Sequence, residues 1–262
     1  MDTKYLGTKN ILFSIINKGE TESSDYAIAY YLLSHYRDIK EISIRDMSQQ
    51  CFVDRSTIRR FFIKYGYENF LDFKKHYSDQ FEEHYSRPIP FDNYNSYIDD
   101  LNAKICGMMD RYTLKRDKTR DIDGVNERLH RSARIILMGD ESFYGNMYTI
   151  QQHFLSMGKI VFVITTNVYH NAVLDHVTAD DCILVLSLMG KYWRTIEEII
   201  APLPCQKMLL TLNAQSQQGS CFDYVAQLTA EPERADEEIY RKYAVTYYID
   251  IMLTTYKMKY QK

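Results

Sequence analysis

Apolar residues in the first third of the chain recur every three or four positions, whereas beyond residue 130 they gather into short unbroken runs. The first pattern is that of amphipathic helices. Ile11, Leu12, Ile15 and Ile16 begin one, and Ser23 or Ser24 is placed to cap a second that contains Ile28 to Leu33 and runs to His35. Ser43, with Asp46 three residues on, starts a third in the manner of a capping box, carrying Ile44, Met47 and Cys51 at helical spacing. After Phe52-Val53, the Asp54 carboxylate can accept from the free amides of a following turn, so a fourth helix is predicted over residues 55–65. Its Ile58, Phe61, Phe62 and Tyr65 fall on one stripe that must be buried. Gly66 suits a left-handed cap, and residues 69–85 read as a fifth helix.

The pattern changes at Ser86-Arg87-Pro88-Ile89-Pro90, where two prolines bar helix and favour an extended connection. Beyond it, residues 134–139, 159–165, 182–187 and 207–212 are continuous apolar runs, with a fifth short strand expected at 224–228. Helical segments separate them, and such alternation predicts a parallel sheet covered on both faces. Residues 236–260 read as one long closing helix, whose Ile239, Tyr243, Tyr247, Ile251 and Thr254 to Tyr256 suggest packing at a subunit interface or across the sheet. The expected organisation is an all-α helix-turn-helix domain over residues 1–85, a linker over 86–95, and an α/β domain over 96–262. That second domain is a doubly wound parallel sheet of five strands, acting in effector binding or oligomerisation.

Composition narrows the function. A chain of 262 residues that is 45% hydrophobic and 26% charged is ordinary globular material. The net charge of −3 excludes a bulk polycation, so any affinity for nucleic acid must come from a local face. Residues 43–75 supply one: Arg45, Arg55, Arg59, Arg60, Lys64, Lys74 and Lys75 stand there against Asp46, Asp54, Glu68 and Asp72. Five scattered cysteines without C-x-x-C spacing fit buried reduced thiols. The first ten residues form no leader, and no apolar run reaches the ~18 residues of a membrane span, which predicts a cytoplasmic protein and no membrane partner.

Arg55, Ser56, Arg59 and Arg60 lie off the apolar stripe of the fourth helix. A helix with its back in a core and cationic donors on its outer side is what a major groove requires. Four segments carry a specific resemblance: Ile28 to Leu33, Ser43 to Ser48, Ser56-Thr57-Ile58-Arg59-Arg60-Phe61 and Lys64-Tyr65-Gly66-Tyr67. They resemble the helix-turn-helix of the RpiR-type sugar-phosphate-responsive transcriptional regulators, and Asn69-Phe70-Leu71-Asp72-Phe73-Lys74 resembles the next helix of that family. The resemblance implies double-stranded DNA as partner and adds Ser43, Thr57 and Lys64 to the DNA-binding set of Arg55, Ser56, Arg59 and Arg60. Asp54 departs from the family, which usually has serine at that cap. It caps as well but sets a negative charge near DNA phosphates.

Ligands of open parallel sheets bind beyond the carboxyl ends of the strands. The residues there, Gly139 to Ser142, Thr165-Thr166, Ser187 to Gly190 and Thr211 to Asn213, resemble the loops of the SIS (sugar isomerase) domain that RpiR-type regulators carry. The resemblance implies a flavodoxin-like strand order. It also implies a sugar phosphate or other small carbohydrate held by Gly139, Ser142, Thr165, Thr166, Ser187, Gly190 and Lys191, with no cofactor. Glycines let amides approach a phosphate and hydroxyls add donors. Here Glu141 stands where the second glycine belongs, Met189 replaces a serine and Tyr192 a threonine. The motif is eroded, and Lys191 is the residue whose charge compensates.

The seven histidines lack metal-ligand spacing, so neither a metal site nor metal catalysis is predicted. His170 and His176 are expected on the surface, beside a helix after the second strand. Ser187, His176 and Asp175 contain no nucleophile elbow, and chance proximity explains them better than a triad. The many tyrosines sit at helical spacing and read as packing. The favoured function is a non-enzymatic, DNA-binding transcriptional regulator of carbohydrate metabolism, acting as a homodimer or homotetramer. The alternative is a SIS-class sugar-phosphate isomerase; a module acting only through protein contacts is a third reading.

Overall fold

The structure is a computed structural model that describes residues 8–81, 93–114, 118–139, 143–164, 168, 171–212, 220–228 and 240–261. The chain divides into two compact units, Met1–Pro90 and Phe91–Lys262.

The first unit is helical: α1 (Thr8–Asn17), α2 (Ser24–Ser34), a short 3-10 turn at Tyr36–Asp38, α3 (Ile44–Gln50), α4 (Arg55–Lys64) and α5 (Phe70–Phe81). The apolar spacing read from the sequence is what these helices bury. Leu12 and Ile15, Ile28 and Leu32, Met47, then Ile58, Phe61 and Phe62 meet Phe70, Phe73 and Tyr77 in one core. Ile44 departs from expectation and is 41% exposed. As the first helical residue its side chain leans back over the preceding loop rather than onto the stripe.

In the second unit, α6 (Tyr94–Leu114) and α7 (Lys118–Arg131) precede β1 (Ile135–Gly139). Then follow α8 (Tyr144–Ser156), β2 (Val161–Ile164), β3 (Cys182–Leu186), α9 (Lys191–Ile200), β4 (Gln206–Thr211), β5 (Tyr224–Gln227) and α10 (Val245–Tyr260). The sheet is parallel throughout, in the order β2-β1-β3-β4-β5, with Ile135 opposite both Val161 and Cys182. Alternate strand residues feed two cores. Ile135, Leu137, Leu184, Leu186, Met208 and Leu210 face α7, α8 and α10, while Ile136, Met138, Ile183, Val185 and Leu209 face α9. The step from β1 to β2 runs opposite to the step from β3 to β4, so right-handed crossovers place α8 and α9 on opposite faces. The flavodoxin-like doubly wound fold follows.

Three sequence expectations change. Tyr94 and Asn95, assigned to the linker, already belong to α6, where the Asn93 side chain accepts from the Ser96 amide at 3.0 Å; residues 86–92 of that linker lie outside the described residues. No α-helix occupies residues 171–181, which hold only a 3-10 turn at Leu174–His176. A buried carboxylate organises that stretch instead: the half-buried Arg134 donates to both carboxylate oxygens of Asp181, and Asp181 also accepts from the Thr178 amide at 2.7 Å. His176 is exposed, and His170 lies outside the described residues. The closing helix is continuous over residues 240–260 but opens on a π-helical turn at Tyr240–Ala244 that leads into α10; residues 236–239 lie outside the described residues. Its buried side is Val245, Tyr248, Ile249, Met252, Leu253 and Tyr256, packed on its own sheet; of the expected side Tyr256 is buried, Tyr243, Tyr247, Ile251 and Thr255 are half-buried and Thr254 is exposed.

Among the described residues no helix is long and apolar enough to cross a membrane, and no group of His, Cys, Asp and Glu residues can hold a metal ion. Cys51, Cys182 and Cys205 are buried free thiols, but Cys106 is exposed. Burial pushes the Cys182 thiol up to about 12.

Candidate nucleic-acid interface and effector cleft

The turn between α3 and α4 is fixed at both ends. Ser43 Oγ accepts from the Asp46 amide at 3.1 Å and the Asp46 carboxylate accepts from the Ser43 amide at 3.4 Å, completing a capping box. Such a cap contributes about 1 kcal/mol. At the other end Asp54 Oδ1 accepts from the Thr57 amide and the Ser56 hydroxyl, each at 2.7 Å. These bonds hold its carboxyl below the usual carboxylate range. Between them the Val53 amide donates to the Ser48 carbonyl at 3.2 Å, and the Ser48 hydroxyl returns a bond of 2.6 Å to the Val53 carbonyl. Phe52 adopts φ 54°, a left-handed conformation that costs a residue with a Cβ about 1–2 kcal/mol. No pattern in the sequence signals this strain.

Helix α4 ends on Gly66 at φ 91°, where the Gly66 amide donates to Ile63 and the Tyr67 amide to Phe62, the paired bonds of a Schellman cap. With its inner side buried, α4 exposes Arg55, Ser56, Arg59, Arg60 and Lys64. Among the described residues neither Arg55 nor Arg59 has a hydrogen-bond or ion-pair partner. Arg60 donates to Thr57 Oγ1 at 3.0 Å, which steers its guanidinium along the helix, and the Ser56 hydroxyl is held by Asp54. Lys64 lies nine residues from Arg55, ~13 Å along the axis. It pairs with Asp25 of α2 at 2.6 Å, and the Tyr65 hydroxyl donates to the same carboxylate at 2.9 Å. That cross-helix tie was invisible in the sequence, since it joins residues 39 apart. Lys74, counted in the cationic field, donates to the Lys40 and Ile42 carbonyls at 2.7 and 2.6 Å and so braces the loop entering α3.

In the sheet unit the strand order reverses direction between β1 and β3, which brings the ends of these strands together, Gly139 opposite Leu186. A Cβ on Gly139 would lie 3.2 Å from Met147 Sδ and 3.3 Å from the Leu186 carbonyl oxygen. The glycine therefore serves the close approach of α8 and β3. Ser187 is fully buried, and its Oγ accepts from the Trp193 amide at 3.2 Å. Gly190, at φ 77°, is the residue at the helix start, and Ser187 supplies the side-chain cap from three residues earlier. Thr211 Oγ1 and the Leu212 amide both donate to the Leu188 carbonyl, at 2.8 and 3.0 Å, tying the loop to β4. Met189 is half-buried against the core, and Tyr192, in the first turn of α9, is buried on the helix's inner side. Lys191 is the first residue of α9; its side chain, together with Ser142, Thr165 and Thr166, lies outside the described residues. Of the seven expected ligand residues, Gly139, Ser187 and Gly190 are thus brought to one end of the sheet, with Gly139 and Ser187 both committed to packing or capping.

Residues 9–84 match the helix-turn-helix domain of the rpiR family. The HTH-type transcriptional regulator GlvR of Bacillus subtilis (strain 168) is 24% identical over 189 residues, covering 69% of this chain and 67% of that protein. The Vibrio vulnificus NanR protein, solved in complex with ManNAc-6P, superposes with a TM-score of 0.51 at 15% identity, over 95% of this chain and 92% of its own. The sugar isomerase domain of an RpiR transcription factor from Sphaerobacter thermophilus gives a TM-score of 0.47 at 13% identity, over 61% of this chain and 89% of its own.

Proposed function

Because this chain carries an rpiR-family helix-turn-helix domain ahead of a SIS-like sheet, the architecture of the RpiR-type regulators, we propose that it controls transcription of carbohydrate genes by binding duplex DNA through α4. The observation that carries the reading is the outer side of α4, where Arg55 and Arg59 stand exposed over the buried Ile58, Phe61 and Phe62. Arg55, Ser56, Arg59 and Arg60 enter the major groove; Ser43, Thr57 and Lys64 approach the flanking phosphates. Two copies related by two-fold symmetry then read half-sites one or more turns apart, ~34 Å each. The protein acts in the cytoplasm, without turnover. Its sheet unit either senses a sugar phosphate or related carbohydrate at the β1–β3 end or holds subunits together. NanR, with its sugar-phosphate complex, supports the first role; the packing of Gly139 and Ser187 argues that any such ligand is held by other residues.

The test is titration of duplex DNA across a salt series, where log affinity should fall linearly with log salt by about 0.9 per phosphate neutralised. Absence of binding at low salt would overturn the reading. Aldose–ketose interconversion of a sugar phosphate by the purified chain would reassign the sheet unit to catalysis.

A further inference from the structure

Phe52 is the one non-glycine residue among the described residues with a positive φ, and it is 94% exposed. Two local penalties coincide there: a left-handed backbone that glycine or asparagine adopts more easily, and a large apolar ring left in water. Among the described residues nothing within its own unit covers the ring. Nor is the ring on a loose loop. On one side the Cys51 thiol donates to the Ala27 carbonyl at 3.5 Å, and on the other Val53 is locked to Ser48 in both directions. The turn therefore fixes the backbone that presents an aromatic ring to solvent. Persistent strain that the surrounding structure over-determines points to a use outside the unit.

The neighbours indicate what covers it. Phe52 precedes Arg55 by three residues, at most about 11 Å of chain, and Arg55 opens the exposed cationic side of α4. A partner fitted to this surface must offer anions to the guanidiniums and apolar carbon to the ring, side by side. Duplex DNA does so, with phosphates alternating with deoxyribose carbons and, in the major groove, thymine methyls. We propose that Phe52 is a DNA-contacting residue, its ring held by the strained turn so as to cover apolar carbon of the duplex beside the phosphates bound by α4. This rests on the DNA-binding reading above.

The experiment uses the full chain and a duplex selected by the wild-type protein from a random-sequence pool. Phe52→Gly and Phe52→Asn remove the ring while relieving the backbone, so both should melt at the wild-type temperature or higher. Both should bind the selected duplex about tenfold more weakly at fixed salt. The slope of log affinity on log salt should stay at the wild-type value, because the ring neutralises no phosphate. Affinity within twofold of wild type in both variants would overturn the proposal, as it would if the ring served a protein contact instead. A reduced salt slope would overturn it too, by showing that the weakening runs through displaced cations. If the wild-type chain selects no duplex, the DNA-binding reading and this proposal fall together. Selection by wild type with undiminished binding by the variants removes the proposal alone.

Discussion

Ser187 Oγ accepts a hydrogen bond of 3.2 Å from the backbone amide of Trp193, so the serine just after β3 caps the helix that follows it. In a phosphate-binding loop the amides at such a helix start and the hydroxyl beside them would turn to the ligand. Here one of each is already paired with the other, inside the protein and out of contact with solvent. Replacing Ser187 by alanine should leave a buried amide without its acceptor and destabilise the sheet unit by about 1–2 kcal/mol. Urea unfolding followed at Trp193 reads this directly, and an unchanged midpoint would show that the cap contributes nothing.

The same arrangement bears on effector affinity. With Glu141 in place of a glycine, Met189 in place of a serine and the Ser187 hydroxyl buried, a phosphate is deprived of at least two charge-assisted hydrogen bonds, each worth about 1.5–3 kcal/mol. Common hexose and pentose phosphates should therefore bind at least about a hundredfold more weakly than to an intact site. Calorimetry with a panel of sugar phosphates is the check. Micromolar affinity that disappears in Lys191→Ala would show that Lys191 restores the site and that the expected weakness is wrong.

At the DNA surface, Arg59 and Arg60 are exposed and off the buried stripe, so the double alanine variant should fold with an unaltered melting temperature. Its affinity for duplex DNA should fall, and the salt slope should shrink by about one for each phosphate no longer neutralised. A slope equal to wild type would take these two arginines out of the interface.

Acid should loosen the sheet unit through Asp181. Arg134 and the Thr178 amide and hydroxyl hold its carboxyl at about 2, below the ~3.9 of an unfolded chain. A depressed folded value stabilises above the unfolded one, so the contribution, about 2–3 kcal/mol, is complete above pH ~5. Roughly half is lost by pH ~3, and the rest as pH falls through the folded value. Asp181→Asn should be less stable near neutrality and show a flatter stability profile between pH ~5 and ~2. Parallel profiles for the two proteins would mean that the pair is not the acid-sensitive element.

The half-buried edge of α10, formed by Tyr247, Ile251 and Thr255 with exposed Asp250 and Thr254, borders a groove of about 320 Å³. If subunits pair along this edge, light scattering at micromolar concentration should give twice the mass of 31.1 kDa, and Ile251→Lys should return it to the monomer value. A monomeric wild-type mass excludes the pairing.

The sequence by itself determined the elements whose signals are local. The capping box at Ser43 and Asp46, the Asp54 cap, the Gly66 terminus and the Ile58–Phe61–Phe62 stripe are each set by residues within about one helical turn. The apolar runs located all five strands to within two residues at either end, because strands covered on both faces read as near-continuous apolar stretches, with polar residues such as Lys207 of β4 kept near their ends. The helix-turn-helix and the cationic helix were therefore legible before any coordinates. Only the tertiary structure decided what depends on distant partners. Asp25 holds Lys64 across 39 residues, Arg134 meets Asp181 across 47, and no periodicity records either pair. The inward side of α10 was read only in part, with Tyr256 found but Tyr248, Ile249 and Met252 missed, because the core these residues meet is assembled from strands far away in sequence. Gly139 ends β1, but whether a glycine there faces a ligand or a methionine of α8 is a matter of packing. Local hydrogen bonding and periodicity are written within a few residues; burial, strain such as that of Phe52 and long-range ion pairs exist only once the chain has closed on itself.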